Sequence, residues 1–164
     1  MKRLIVVRHA KTEQSGYGRD FLRELTDSGK ADAWNVANDL KERNIFPDGI
    51  ISSPATRALT TARIFSEVLE FPQEKIVEEK GLYFDFTTQN FVDMVQEVPD
   101  EIETLFVFGH NPFIYYAAGN MCRNFYGDMP TCSTVVIDFD ISSWGKAEPR
   151  KGNLLVHLYP KLYN

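Results

Sequence analysis

Leu4-Ile5-Val6-Val7-Arg8-His9 is an unbroken aliphatic run that stops at two basic side chains. Such residues without polar alternation suit a strand buried on both faces, as in a parallel sheet covered by helices. The residues after it, His9–Asp20, are polar and contain glycine, so they read as a loop. A helix follows. Thr26 or Asp27 can cap it, and Ala33, Val36, Ala37 and Leu40 recur at helical spacing up to about Arg43.

The same alternation continues down the chain. Pro47-Asp48-Gly49 is a turn before a second short strand, Ile50-Ile51-Ser52. Ser53 is placed as the N-cap of a second helix, with Pro54 as its first residue, and Ala58, Ala62, Phe65 and Leu69 share one face of it. Ile76-Val77 reads as a third strand and Phe91–Val98 as a third helix. Thr104–Phe108 is a fourth strand, ending at Gly109-His110-Asn111-Pro112, where another helix starts and runs to about Met121. Phe113–Ala118, with Tyr115 and Tyr116, reads as a buried helix face rather than a ligand platform. Thr134–Phe139 and Leu154–Leu158 close the chain as strands, separated by a polar turn around Gly145. The pattern predicts one α/β domain over residues 1–164, its sheet largely parallel with one antiparallel edge.

Composition narrows the function. The chain has 164 residues, 43% hydrophobic and 25% charged, which is the balance of a globular domain. Its 18 basic and 23 acidic residues give a formal net charge of −5, so it lacks the broad positive field that nucleic acid or an anionic membrane surface attracts. No apolar run approaches the roughly 18 residues of a membrane helix. The run before Arg8 is too short for a signal-peptide core. Cys122 and Cys132 are the only cysteines and form no CxxC pattern, which suits a reducing, cytoplasmic setting. A monomer is expected.

In open α/β sheets, ligands bind beyond the carboxyl ends of the strands. Arg8 and His9 follow the first strand, Ser53 and Arg57 the second, and His110 and Asn111 the fourth. Two of the chain's three histidines therefore stand at strand ends. Guanidinium is planar, permanently charged and matched to phosphate oxygens. Two of them can hold a phosphoryl dianion and neutralise charge as it moves to the equatorial oxygens. A neutral imidazole is a competent nucleophile, and neighbouring cations favour the neutral form. A second imidazole, if protonated, can donate to a phosphoryl oxygen. The set fits phosphoryl transfer through a phosphohistidine intermediate, with no metal and no cofactor. Taken singly, each histidine reads as structural and Arg57 as a solvated helix residue. A zinc site from His9, His110 and His157 is opposed by the adjacent arginines and by His157 lying inside a strand pattern. Ser53 as a nucleophile lacks a G-x-S-x-G setting.

At these residues the sequence resembles the histidine phosphatase superfamily, the fold family of cofactor-dependent phosphoglycerate mutases. Val7-Arg8-His9-Ala10 resembles its Arg-His-Gly/Ala signature after the first strand. Asp20-Phe21-Leu22-Arg23-Glu24-Leu25, followed by Gly29, resembles the Asp-x-x-Arg-Pro-Leu segment of the small SixA-type phosphohistidine phosphatases. Ser53-Pro54-Ala55-Thr56-Arg57-Ala58 with Thr61-Ala62, Leu82-Tyr83, and Gly109-His110-Asn111-Pro112 follow in family order. The resemblance implies a three-layer α/β/α sandwich with a mostly parallel central sheet. It implies that His9 is the nucleophile, that Arg8, Arg57 and His110 form the phosphate pocket, and that Arg23 is a further cation on the substrate side. Asn111 is a candidate for orienting the pocket. Mutase-like branches add a carboxylate as general acid. Glu78, Glu79 and Asp85 lie in the plausible region, and nothing in the local pattern selects among them. The short segment between Phe71 and Thr104 leaves little room for a lid, which favours phosphohistidine on another protein as substrate. A small phosphate ester is the alternative, and a non-catalytic phosphoryl-binding module the second alternative.

Overall fold

The computed structural model describes residues 1–14 and 19–164. The strands are β1 (Lys2–Arg8), β2 (Gly49–Ser52), β3 (Val77–Glu78), β4 (Thr104–Gly109), β5 (Thr134–Phe139) and β6 (Asn153–Leu158). The helices are α1 (Asp27–Glu42), α2 (Thr56–Val68), α3 (Thr88–Gln96) and α4 (Phe113–Met121). The strands form one sheet in the order β3-β2-β4-β1-β5-β6. Among the described residues no helix is long and apolar enough to cross a membrane.

β1 is central because both of its faces are apolar. Leu4 and Val6 pack with Val107, Val135 and the α3–α4 side chains Phe91, Val95, Ile114 and Met121. Ile5 and Val7 pack on the opposite face with Phe106, Phe108 and the α1–α2 side chains Val36, Leu40, Ala62 and Phe65. A run with no polar alternation therefore produces two cores, one on each side of the sheet, and the three layers follow. Burying one such side chain stabilises the fold by roughly 1.5–3 kcal/mol.

The sheet departs from the expected antiparallel edge. β5 is antiparallel to β1, and β6 is antiparallel to β5, so β5 alone runs against the rest and lies inside the sheet. The burial pattern gives the reason. Thr134–Ile137 are all buried, whereas Asn153 and Leu155 of β6 are exposed. The more apolar strand takes the interior position, and the half-polar one takes the edge. The third helix begins earlier than expected, because Thr87 and Asn90 form a reciprocal capping box.

Ser53 is not a helix cap. α2 starts at Thr56 with Ala55 in the cap position, and the Ser53 hydroxyl is engaged elsewhere. Tyr116 is not buried either. Helical period turns Ile114, Ala117, Ala118 and Met121 inward and leaves Tyr116 55% exposed. The loop expected over His9–Asp20 falls partly outside the described residues, at 15–18. Its end is a short 3₁₀ turn, Asp20–Leu22.

The start of α1 is pressed against the chain that follows His9. Thr26 caps the helix by accepting from the Gly29 N–H at 2.9 Å, and the Thr26 N–H donates to the Lys11 carbonyl. A Cβ on Gly29 would stand 2.2 Å from that carbonyl oxygen. Gly29→Ala is expected to lose about 1–3 kcal/mol in urea denaturation through the backbone displacement it forces. Thr26→Ala, which removes the cap along with the hydroxyl's contacts to the Lys11 carbonyl and the Ser28 hydroxyl but leaves the backbone in place, should lose about 1 kcal/mol.

Candidate active site

Three parallel neighbours end side by side. Arg8 of β1 is in register with Gly109 of β4, and Ser52 of β2 with Phe108 of β4. The pairing continues past the strand ends: the His9 N–H donates to the Gly109 carbonyl at 3.1 Å, and the Ser53 N–H to the Phe108 carbonyl at 2.9 Å. These bonds fix the chain at His9, Ser53 and His110 relative to one another. The His9 and His110 ring centroids are 5.3 Å apart, with the planes tilted by 52°.

Arg57 enters from the first turn of α2. The Thr61 hydroxyl donates to the Arg57 carbonyl at 2.8 Å and accepts from the Ala10 N–H at 3.0 Å, tying that turn to the residue after His9. The Arg57 guanidinium donates to the Asp20 main-chain carbonyl at 2.7 Å and to its carboxylate at 3.1 Å. The same carboxylate accepts from the Tyr83 hydroxyl at 2.8 Å and from Arg23 Nε at 3.2 Å. Arg8 and Asn111 share one acceptor, the Met129 carbonyl, each at 3.0 Å. His9, Arg57 and His110 are each only 6% exposed.

The hydrogen bonds decide protonation. His9 Nδ1 lies 2.8 Å from the Ala10 carbonyl, an oxygen that can only accept. The ring proton is therefore on Nδ1, and in the neutral ring the Nε2 lone pair is free. Burial, and then the charges of Arg57, Arg8 and Arg23, hold the His9 pKa down to about 4 against the opposing Ala10 bond. Burial and Arg57 lower His110 to about 3. Burial alone would raise Asp20, but the Tyr83 hydroxyl and Arg57 outweigh it and keep the carboxylate below its ordinary range.

Among the described residues, the buried side-chain polar atoms without a partner are Arg8 Nε, Arg57 Nε, His110 Nδ1 and Asn111 Oδ1. All belong to this site. Buried donors are ordinarily satisfied, so unpaired nitrogens gathered beside a free imidazole nitrogen form a receptor for an anion. A cavity of about 590 Å³, lined by Arg8, Asn111, Tyr115, Asp128 and Met129, opens next to Arg8. A second cavity of about 400 Å³, lined by Ile51, Val77, Val98 and Leu105, contains none of the site's histidines or arginines. Among the described residues no group of His, Cys, Asp or Glu side chains is arranged to hold a metal ion.

Residues 4–112 match the profile of the histidine phosphatase superfamily (branch 1). The chain belongs to that superfamily. This histidine phosphatase is a hydrolase of the SixA type. A candidate phosphohistidine phosphatase SixA from Agrobacterium tumefaciens superposes with a TM-score of 0.82 at 25% identity, covering 97% of this chain and 98% of that one. The protein histidine phosphatase SixA complexed with tungstate superposes at 0.85 and 18% identity, covering 99% of each chain. A more distant match is the mycobacterial glucosyl-3-phosphoglycerate phosphatase, at 0.68 and 16% identity over 95% of this chain and 98% of that one.

The histidine phosphatase brings Arg8, His9, Arg57 and His110 together and joins Arg23 to them through Asp20. His157 lies apart on β6, where its Nε2 contacts the Ser133 hydroxyl and its ring abuts Phe125 and Tyr159. Glu78 and Asp85 are exposed, and neither they nor Glu79 make a side-chain hydrogen bond or ion pair with a described residue. Local sequence assigns no role to Asp20, Tyr83 or Thr61, which enter the site through their partners. A carboxylate three residues before Arg23 was the available signal for Asp20. The Met129 carbonyl had none, being backbone.

All three histidines are shifted down on folding, so below about pH 6.5 the unfolded chain binds more protons than the folded one. Their contribution to stability is complete above that pH and is lost as pH falls toward 4 and 3. Thermal midpoints are expected to drop steadily below about pH 6.5. A His9→Asn/His110→Asn double variant should show a shallower drop. In ring ¹⁵N spectra, His9 should remain a neutral imidazole at pH 5.5; a midpoint near 6.5 would contradict the electrostatic reading.

Proposed function

We propose that this phosphatase removes the phosphoryl group from phosphohistidine on another protein, by way of a phosphorylated His9. The observation that carries the chemistry is the free Nε2 of a neutral, buried His9 beside unpaired donors of Arg8, Arg57 and His110. In the first step the Nε2 lone pair forms a bond to phosphorus as the bond from phosphorus to the substrate's ring nitrogen breaks. That nitrogen keeps the electron pair. Arg8 and Arg57 neutralise the charge on the equatorial oxygens. In the second step water bonds to phosphorus, the bond to Nε2 breaks, and one water proton passes to solvent. Because Nδ1 holds its proton against the Ala10 carbonyl, the phosphorylated His9 ring is cationic and departs as a neutral imidazole. It needs no acid.

Leaving-group chemistry supports phosphohistidine over an ester. A phosphohistidine whose other ring nitrogen is protonated also departs as a neutral imidazole, whereas an alkoxide needs a proton donor. The carboxylate bonded to the site's arginines, Asp20, is held ionised and is therefore a poor acid.

The rim supports a macromolecular partner. Tyr83 meets His110 at 5.7 Å between ring centroids, Phe21 at 5.0 Å and Phe84 at 5.2 Å. Leu22 and Phe84 are 58% and 64% exposed. Apolar surface running outward from a catalytic imidazole suits the face of a docked protein domain better than a small hydrophilic ester. The buried, unpaired thiols of Cys122 and Cys132 support the reducing, cytoplasmic setting.

His9→Ala should abolish turnover of both a histidine-phosphorylated phosphotransfer domain and 4-nitrophenyl phosphate. Brief incubation of the wild type with ³²P-labelled substrate should leave acid-labile label on His9. Full activity in the variant would remove the mechanism. A Leu22→Ser/Phe84→Ser variant should raise KM for the phosphorylated domain about tenfold and leave 4-nitrophenyl phosphate turnover unchanged. Equal effects on both, or preference of the wild type for a sugar phosphate, would favour the small-ester alternative.

A further inference from the structure

We propose that Ser53 is a positioning residue: its hydroxyl sets His110 in the tautomer that carries its proton on Nδ1, the ring nitrogen left to donate to the phosphoryl group. The proposal rests on the function above for its consequence in catalysis, but its structural half stands on the hydrogen bonds alone.

Ser53 is fully buried. Its Oγ has two polar neighbours. One is the Ala55 N–H at 3.2 Å, which can only donate, so Oγ accepts there. The other is His110 Nε2 at 2.7 Å. If Nε2 carried the ring proton, Oγ would accept twice and its own proton would have no acceptor in a buried site. Leaving a buried polar hydrogen unpaired is unfavourable. If Nε2 is bare, the hydroxyl donates to it and both groups are satisfied. Nδ1 then carries the ring proton, and it is the nitrogen that has no protein partner.

The assignment matters because burial and Arg57 keep His110 neutral in the free protein. A cationic imidazole donates from both nitrogens, whereas a neutral one donates only from the nitrogen that bears the proton. Facing an anion, the wrong tautomer would present a lone pair and repel it. The adjacent histidines are thus set oppositely by their partners. A carbonyl that only accepts, Ala10, makes His9 protonated at Nδ1 and bare at Nε2, ready to bond phosphorus. A hydroxyl with a proton to place, Ser53, makes His110 bare at Nε2 and a donor at Nδ1. This also accounts for the serine before Pro54 having no capping function in α2.

The test is a long-range ¹H–¹⁵N correlation spectrum of the ¹⁵N-labelled wild type at pH 7, which reports the tautomer without any variant. His110 is expected with a protonated-type Nδ1 and an unprotonated-type Nε2; the reverse pattern overturns the proposal. In Ser53→Ala the ring should shift toward the Nε2–H tautomer. The kcat for 4-nitrophenyl phosphate should fall about 10- to 100-fold, with KM changed less than about threefold. A Ser53→Ala protein that melts like the wild type and keeps both its tautomer and its kcat also overturns it. The ester probe separates this result from the protein-substrate reading: loss of phosphohistidine turnover alone bears on that reading, and the tautomer on this one.

Discussion

Parallel pairing of β2, β4 and β1 is the constraint on which the site depends. It aligns Ser52 with Phe108 and Arg8 with Gly109, so three strands separated by long stretches of chain end at one level. Side chains just beyond those ends have nowhere to go except a shared crevice. The backbone bonds from His9 to Gly109 and from Ser53 to Phe108 extend the ladder by one residue on each side. They hold the imidazoles on rigid chain rather than on a loop, which fixes the rings relative to each other.

Burial then does most of the electrostatic work. Taking an imidazole out of water disfavours its cation, and guanidiniums nearby add to that effect. Both histidines of the crevice therefore stay neutral, yet a neutral imidazole has one donor and one acceptor, and which is which depends on its partner. The Ala10 carbonyl and the Ser53 hydroxyl supply opposite partners. The arginines cannot discharge in this way, since guanidinium remains charged in proteins. Asp20 offsets that charge: it binds Arg57 through both carboxylate and carbonyl and reaches Arg23 and Tyr83 at the same time. The cluster is thus stable before any anion arrives, while Arg8 Nε, Arg57 Nε and His110 Nδ1 remain available as donors.

The same cluster reaches the surface. Tyr83 contacts Asp20 through its hydroxyl and His110, Phe21 and Phe84 through its ring. A side chain that orders the carboxylate therefore also anchors the apolar rim. Tyr83 thus touches both the carboxylate that binds Arg57 and the exposed Phe84, and its sequence context, Gly81-Leu82-Tyr83, places it on a short 3₁₀ turn.

The layered α/β class is legible in local pattern, because Leu4–Val7 and Thr104–Phe108 lack the alternation that a half-exposed strand needs, and the helices between them carry apolar residues at helical spacing. Local pattern also places Arg8, His9, Arg57 and His110 at strand ends or on the next helical turn, the side chains that the fold gathers into one crevice. The rest depends on long-range contacts. Whether β5 lies inside the sheet depends on comparing its burial with that of β6, a long-range competition no local window contains. Asp20, Thr61, Tyr83 and the Met129 carbonyl acquire roles only through partners far away in the chain. Ser53 looked like a cap because a serine before a proline is a local signal, and its actual partner, His110, is 57 residues distant. The identity of each reactive nitrogen likewise could not be read from composition or spacing, because a tautomer is set by the single atom that faces the ring.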